Sequence, residues 1–281
     1  MRDNFDGIWE SDGCDLAVER RRVDGEMRGV SYKKIRSEGG IWERITVTGE
    51  EGERSLGRPR GRYDTLTLAK MDTLTRGEID DAIEEVARGL CTLIGEEGIS
   101  PARILVAGLG NRDLTPDSLG ARVADGVIPT LHISKGDPEG FDALDCSEIA
   151  VVVPMVTASS GIDSADVIEG VCEVVRPDVV LAIDSLASRS PTRLGRTMQI
   201  STTGIIPGSG VGRHSRSITK ESLGIPVIAI GIPTVISTSV FATGEAGGRG
   251  MLVCPREIDG IVRSGAEIIS GGINQAFGIF L

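Results

Sequence analysis

The sequence predicts an α/β fold: a single domain on a mostly parallel central sheet with helices on both faces. Three observations predict it. Two short, wholly apolar runs, 104–107 and 179–183, have the composition of strands buried on both faces. Between such runs, apolar residues recur at helical spacing, as at Ile79, Ile83, Val86, Leu90, Leu93 and Ile94. Strand-like and helix-like segments then alternate along the chain, the order from which crossover connections build a parallel sheet.

Residues 1–40 carry clustered charge, as in Glu19-Arg20-Arg21-Arg22-Val23-Asp24, and read as a solvated, partly disordered N-terminal arm. Ile41–Val47 alternates like a half-buried strand, and a second strand follows at 63–68. Residues 71–96 form a long amphipathic helix whose end is marked by Gly95 and Gly98. The central strand, 104–108, runs into Gly108 and Gly110, and Thr115-Pro116-Asp117 opens the next helix, 117–125. Proline suits a first helical turn, where its missing N–H has no partner to lose, and Thr115 suits the N-cap. Residues 127–133 read as a strand, 134–147 as a polar loop, and 149–154 as a strand buried on both faces. A helix at 165–175 closes at Arg176-Pro177, and the strand 179–184 ends in Asp184. Strands at 198–202 and 225–231 flank a glycine-rich loop, 204–212, and Ile258–Ala276 is a closing helix. That loop lacks the Lys-Ser/Thr ending of a phosphate cradle, so backbone positioning near a site is its expected role.

In 281 residues no run approaches the roughly 20 apolar residues of a membrane span. The opening Met-Arg-Asp-Asn-Phe-Asp lacks the order of a signal peptide, so a cytoplasmic location is expected. A net charge of −11 argues against a general basic surface for nucleic acid. The cysteines Cys14, Cys91, Cys146, Cys172 and Cys254 are odd in number and scattered, which predicts reduced, mostly buried thiols.

Asp117 and Asp184 each follow an apolar strand, at the edge of an α/β sheet where ligands collect. Each alone fits a structural cap. Together in one site they cannot both ionise freely, so one holds a proton as acid while the other serves as base. Such a pair can activate water against a peptide carbonyl, or hold a divalent cation. The two histidines, His132 at a strand end and His214 in the basic loop Arg213-His214-Ser215-Arg216, read as surface or satisfied residues.

Several long motifs then occur in order: Gly108-Leu109-Gly110-Asn111, Thr115-Pro116-Asp117-Ser118-Leu119-Gly120, Leu181-Ala182-Ile183-Asp184-Ser185-Leu186-Ala187-Ser188-Arg189, Gln199-Ile200-Ser201-Thr202-Thr203-Gly204, Pro207-Gly208-Ser209-Gly210-Val211-Gly212 and 223–234. They resemble the germination (spore) proteases of endospore-forming bacteria, from about Asp15 to the closing helix. The resemblance implies an atypical aspartic endopeptidase that degrades small acid-soluble, DNA-coating spore proteins at germination. It also implies a homotetramer in the forespore and spore core, without cofactor, metal or membrane. The family's two essential aspartates match Asp117 and Asp184. Its members remove their own leader, and Asp15-Leu16-Ala17-Val18-Glu19 fits the processing pattern, with the bond between Asp15 and Leu16. The implied division is a propeptide, 1–15, and a peptidase domain, 16–281. Asn111 and the loop glycines Gly208 and Gly210 are candidates for orienting substrate. A fainter resemblance, through Gly-Leu-Gly-Asn and the acidic residue before Ser-Leu-Gly, is to nickel-hydrogenase maturation endopeptidases. Those share a related fold of phosphorylase/hydrolase type and bind metal at the carboxylate matching Asp117. Their histidine ligand has no counterpart here. A metal-dependent maturation-type endopeptidase and a non-enzymatic binding module are the alternative readings.

Overall fold

The computed structural model describes residues 14–21, 27–211, 215–238 and 251–280. His214 lies outside these. In chain order the elements are β1 (Val30–Arg36), β2 (Ile41–Val47), α1 (Gly49–Leu56), β3 (Gly61–Thr67), α2 (Arg76–Glu96), β4 (Arg103–Gly108), α3 (Leu119–Gly126), α4 (Leu131–Gly136) and α5 (Pro138–Asp142). Then come β5 (Glu148–Val152), α6 (Thr157–Ser160), α7 (Ser164–Val175), β6 (Val179–Ser188), β7 (Thr197–Ser201), α8 (Lys220–Leu223), β8 (Val227–Ser237), β9 (Leu252–Val253) and α9 (Ile258–Ala276).

The strands make one sheet in the order β1-β2-β3-β7-β8-β6-β4-β5, with β9 on β8. The predicted α/β class holds, and β8, β6, β4 and β5 are parallel as expected. The sheet as a whole is mixed, because β1, β2 and β3 form an antiparallel meander joined through β7 to β8. Short connections such as 37–40 permit only antiparallel neighbours.

Strand alternation divides the core in two. Ile104, Val106, Leu181 and Ile183 face α2, α3 and α9, whereas Leu105, Ala107, Val180 and Ala182 face α7 and the segment 14–18. Helices therefore cover both faces of the parallel strands. The first turn of α2 is fixed by a capping box between Thr75 and Glu78, a device worth about 1 kcal/mol.

Six sequence expectations need correction. Residues 127–133 are not a strand: Val127 caps α3, Pro129 has no N–H for a ladder, and the Ile128 N–H donates to Asn274 Oδ1 of α9 at 3.0 Å. The polar loop 134–147 contains the end of α4 and all of α5, which Pro138 starts and Asp137 caps. The strand at 149–154 is β5, an edge strand in which only Ile149 is fully buried. The arm is not wholly solvated, since Leu16 and Ala17 are completely buried and β1 lies within 1–40. Thr115 makes no side-chain cap either; Leu114 precedes a single 3-10 turn at Thr115–Asp117. The thiols are free, but Cys91 and Cys254 are exposed and only Cys14 and Cys172 are buried.

Candidate active site

The two aspartates meet because backbone packs on backbone where β4 ends. The Leu109 N–H donates to Ile183 O at 2.8 Å, which holds the exit of β4 against β6. A Cβ on Gly120 would overlap Ile183 O and the Leu109 backbone, so only glycine lets the start of α3 sit this close. Gly110, at φ +92°, turns the chain beneath the 3-10 turn, and a Cβ there would overlap Asp117 O. The Asp117 carboxylate then accepts the Asn111 N–H at 3.0 Å. Asp184 is 5% exposed and accepts the Ser185 N–H at 2.8 Å.

Burial raises the Asp184 carboxyl well above the ordinary carboxylate range. The neighbouring Asp117 charge raises it further, Asp15 adds to the effect, and the Ser185 N–H opposes it. Both aspartates line an open cleft of about 650 Å³. Its walls are largely apolar, from Leu114, Val156, Ala158, Leu186 and Val235, and Gly208 and Gly210 form part of the rim. Such a surface suits an extended peptide. The Asn111 side chain turns away to accept the Asp113 N–H at 3.0 Å, so the residue reaches the site through its backbone.

Asp15 is clamped in this cleft. Its N–H donates to Ala187 O at 2.9 Å, and its carboxylate accepts the Ala187 N–H at 2.8 Å and the Ser209 hydroxyl at 3.0 Å. Gly210 leaves the space that this carboxylate fills. Gln199 holds both sides of the Asp15–Leu16 bond: its Nε2 donates to Asp15 O at 3.2 Å, and its Oε1 accepts the Ala17 N–H at 2.8 Å. Four residues on, the Glu19 carboxylate accepts from Ser188 Oγ at 2.5 Å and from the Arg189 N–H at 2.7 Å. Ser209, Gln199 and the Ala187 backbone were not singled out from sequence. Neutral amides, hydroxyls and main-chain N–H groups carry no pattern, and the sole signal was a serine inside the glycine-rich loop.

His132 is exposed on α4, apart from the cleft lining. Among the described residues, no group of three or more His, Cys, Asp or Glu has the arrangement of a metal site.

Comparison with known proteins gives a solved structure, the nickel–iron hydrogenase maturation protease of Thermococcus kodakarensis KOD1, at 18% identity and a TM-score of 0.40. That match covers 67% of this chain and 97% of the other. A germination protease of Caldanaerobacter subterraneus is 41% identical over 232 residues, 81% of this chain and 70% of the relative. A germination protease of Clostridium perfringens (strain ATCC 13124) is 35% identical over 307 aligned residues, 93% of this chain and 94% of the relative. The family model described as germination protease matches residues 12–246, a span that takes in Asp15, Asp117, Asp184 and the glycine-rich loop. On the family match and these relatives together, the chain belongs to the germination protease family.

Proposed function

We propose that this peptidase is an aspartate-dependent endopeptidase, made as a self-processing zymogen, that cleaves small acid-soluble spore proteins in the spore core. One observation carries the reading: a buried Asp184 whose carboxyl is raised well above the ordinary range by burial and by the Asp117 charge, in a cleft that also holds the chain's own Asp15. Asp117, fixed by the Asn111 N–H, is the ionised partner and takes a proton from water. The resulting hydroxide attacks the scissile carbonyl carbon. Asp184 gives its proton to the carbonyl oxygen, and the tetrahedral intermediate collapses as the C–N bond breaks. The proton held by Asp117 passes to the leaving amine, and Asp184 regains its own from the collapsing hydroxyl. Backbone N–H groups near Gly208 and Gly210 orient the chain being cut.

The clamp on Asp15 supports self-processing between Asp15 and Leu16, which divides a propeptide, 1–15, from the domain 16–281. A homotetramer is the assembly that the family resemblance implies. The test is cleavage of a purified small acid-soluble spore protein by wild type, Asp117→Asn and Asp184→Asn, with and without a strong chelator. Loss of at least about 10³-fold in either variant, with no effect of chelator, is expected, since acid–base groups that act as a unit fail together. Full activity in either variant, or loss with chelator, overturns the reading.

A further inference from the structure

The β6–β8 ladder contains one irregularity, and it lies beside the two aspartates. Asp184 pairs with Gly231 and Leu186 with Pro233, but Ala187 pairs with Val235, so Thr234 is an extra residue on β8. Pro233 accounts for the break, because a proline inside a buried strand cannot donate to the ladder and is confined to such bulges. Bulges next to sites commonly re-aim one side chain. Here the re-aimed group is the Thr234 hydroxyl, on a residue 1% exposed that also lines the cleft. It donates to Pro116 O at 2.7 Å, across 118 residues of chain.

We propose that Thr234 is a positioning residue that holds the Pro116–Asp117 peptide, and through it the Asp117 carboxylate, in register with Asp184. The proposal rests on the aspartate-dependent reading given above. Its physical content is that the 3-10 turn bearing Asp117 is short, and its residues Thr115, Pro116 and Asp117 are not buried. Its local bonds are short-range ones: Asp117 N–H to Leu114 O at 2.8 Å, Ser118 N–H and hydroxyl to Thr115 O at 3.2 and 3.0 Å, and Asn111 N–H to the Asp117 carboxylate at 3.0 Å. Thr234 adds a bond from the sheet itself, on the strand adjacent to the one that carries Asp184. Both carboxylates are thereby referenced to the same pair of strands. A buried hydroxyl left without this acceptor would carry a desolvation cost, so the bond is kept once formed.

The experiment compares wild type, Thr234→Val, Thr234→Ser and Asp184→Asn on a purified small acid-soluble spore protein. It also follows amide hydrogen exchange at Asn111 and across 115–118. Thr234→Val keeps the shape and removes the donor. It is expected to lower kcat by about 10- to 100-fold with KM within about twofold, since small misplacements of a reacting group cost this much. It should also displace the pH profile of kcat and speed exchange at Asn111 and the turn. Thr234→Ser, which keeps the hydroxyl, is expected to restore kcat, profile and exchange. If Thr234→Val does not melt cooperatively, Thr234→Ala replaces it with the same expectations. Wild-type kcat, profile and exchange in the variant lacking the donor overturn the proposal, and so does a serine variant as impaired as the valine one. Activity in Asp184→Asn would sink the aspartate reading alone, because the exchange data still decide whether Thr234 holds the turn.

Discussion

At the scale of single residues, burial and the Asp117 charge act together against the ionisation of Asp184, and the Ser185 N–H opposes them. A carboxyl whose folded value lies above its unfolded value binds more protons in the native state than in the unfolded chain. Stability therefore falls as pH rises from the ordinary carboxylate range through the raised folded value. Below that range both states are protonated and the effect disappears. Asp184→Asn removes the ionisation and retains an oxygen for the Ser185 N–H. The variant is expected to melt several degrees above wild type at pH 8 and within about one degree of it at pH 3. Thermal melts at the two pH values check this; a variant less stable at pH 8 would mean that Asp184 is not held against its ionisation. That Asp117 and Asp184 share one cleft was legible in sequence, because each lies beyond or at the carboxyl end of an apolar strand of the same parallel sheet. Their different environments were not, because the full burial of Asp184 and the partial burial of Asp117 depend on how α3 settles on the sheet.

At the scale of elements, glycines set how closely α3 approaches β4 and β6. A Cβ on Gly120 meets only backbone, which cannot move aside, whereas Gly170 in α7 faces open space. Gly120→Ala is expected to cost about 1–3 kcal/mol through overpacking and to reduce peptidase activity by displacing Asp117. Gly170→Ala is expected to be neutral or to stabilise by up to about 1 kcal/mol from helix propensity alone. Denaturant titrations of the pair separate close approach from general intolerance to change, and equal effects at the two positions would refute the packing argument. Elements with strong periodicity were the most legible: α9 matches to the residue, and α2 matches at its end but starts five residues later than expected, after a separate 3-10 turn at Met71–Thr73 and the Thr75 cap. The stretch 127–133 was not, because its apolar residues serve a cap and a short helix, and Pro129 was the signal against a strand. α1 was missed for the opposite reason: its sequence, Gly49–Leu56, has little apolar content beyond Leu56.

At the scale of the whole molecule, the segment 14–18 is continuous with the core. Leu16, Ala17 and Val18 pack with Ile45, Leu56 and Tyr63, and Tyr63 is buried enough for its hydroxyl to be pushed up to about 12. Arg58 donates to Cys14 O beside them, and burial raises the Cys14 thiol far above its usual range. A chain that starts at Leu16 is expected to fold, since it loses the Cys14 contacts but keeps Leu16, Ala17 and Val18 in the core. A chain that starts at Arg21 loses Leu16 and Val18 from the core, at about 1.5–3 kcal/mol for each buried side chain. Comparing the two by chemical denaturation checks the point, and equal stability would mean that 16–20 is not part of the core. The sequence reading placed this segment in a charged arm because Glu19 to Asp24 dominate the local composition. The burial of 14–18 follows from long-range packing that no local pattern displays. The antiparallel meander was hidden for a similar reason, as β1 alternates weakly and is an edge strand.

The most direct test of the central claim, that Asp117 and Asp184 together cut peptide bonds, is the N-terminal mass of the full-length chain. Wild type, Asp117→Asn and Asp184→Asn are incubated side by side under mildly acidic, dehydrating conditions. A new N-terminus at Leu16 in wild type, absent from both variants while all three remain folded, is the predicted result. Processing at the same bond in either variant would contradict it.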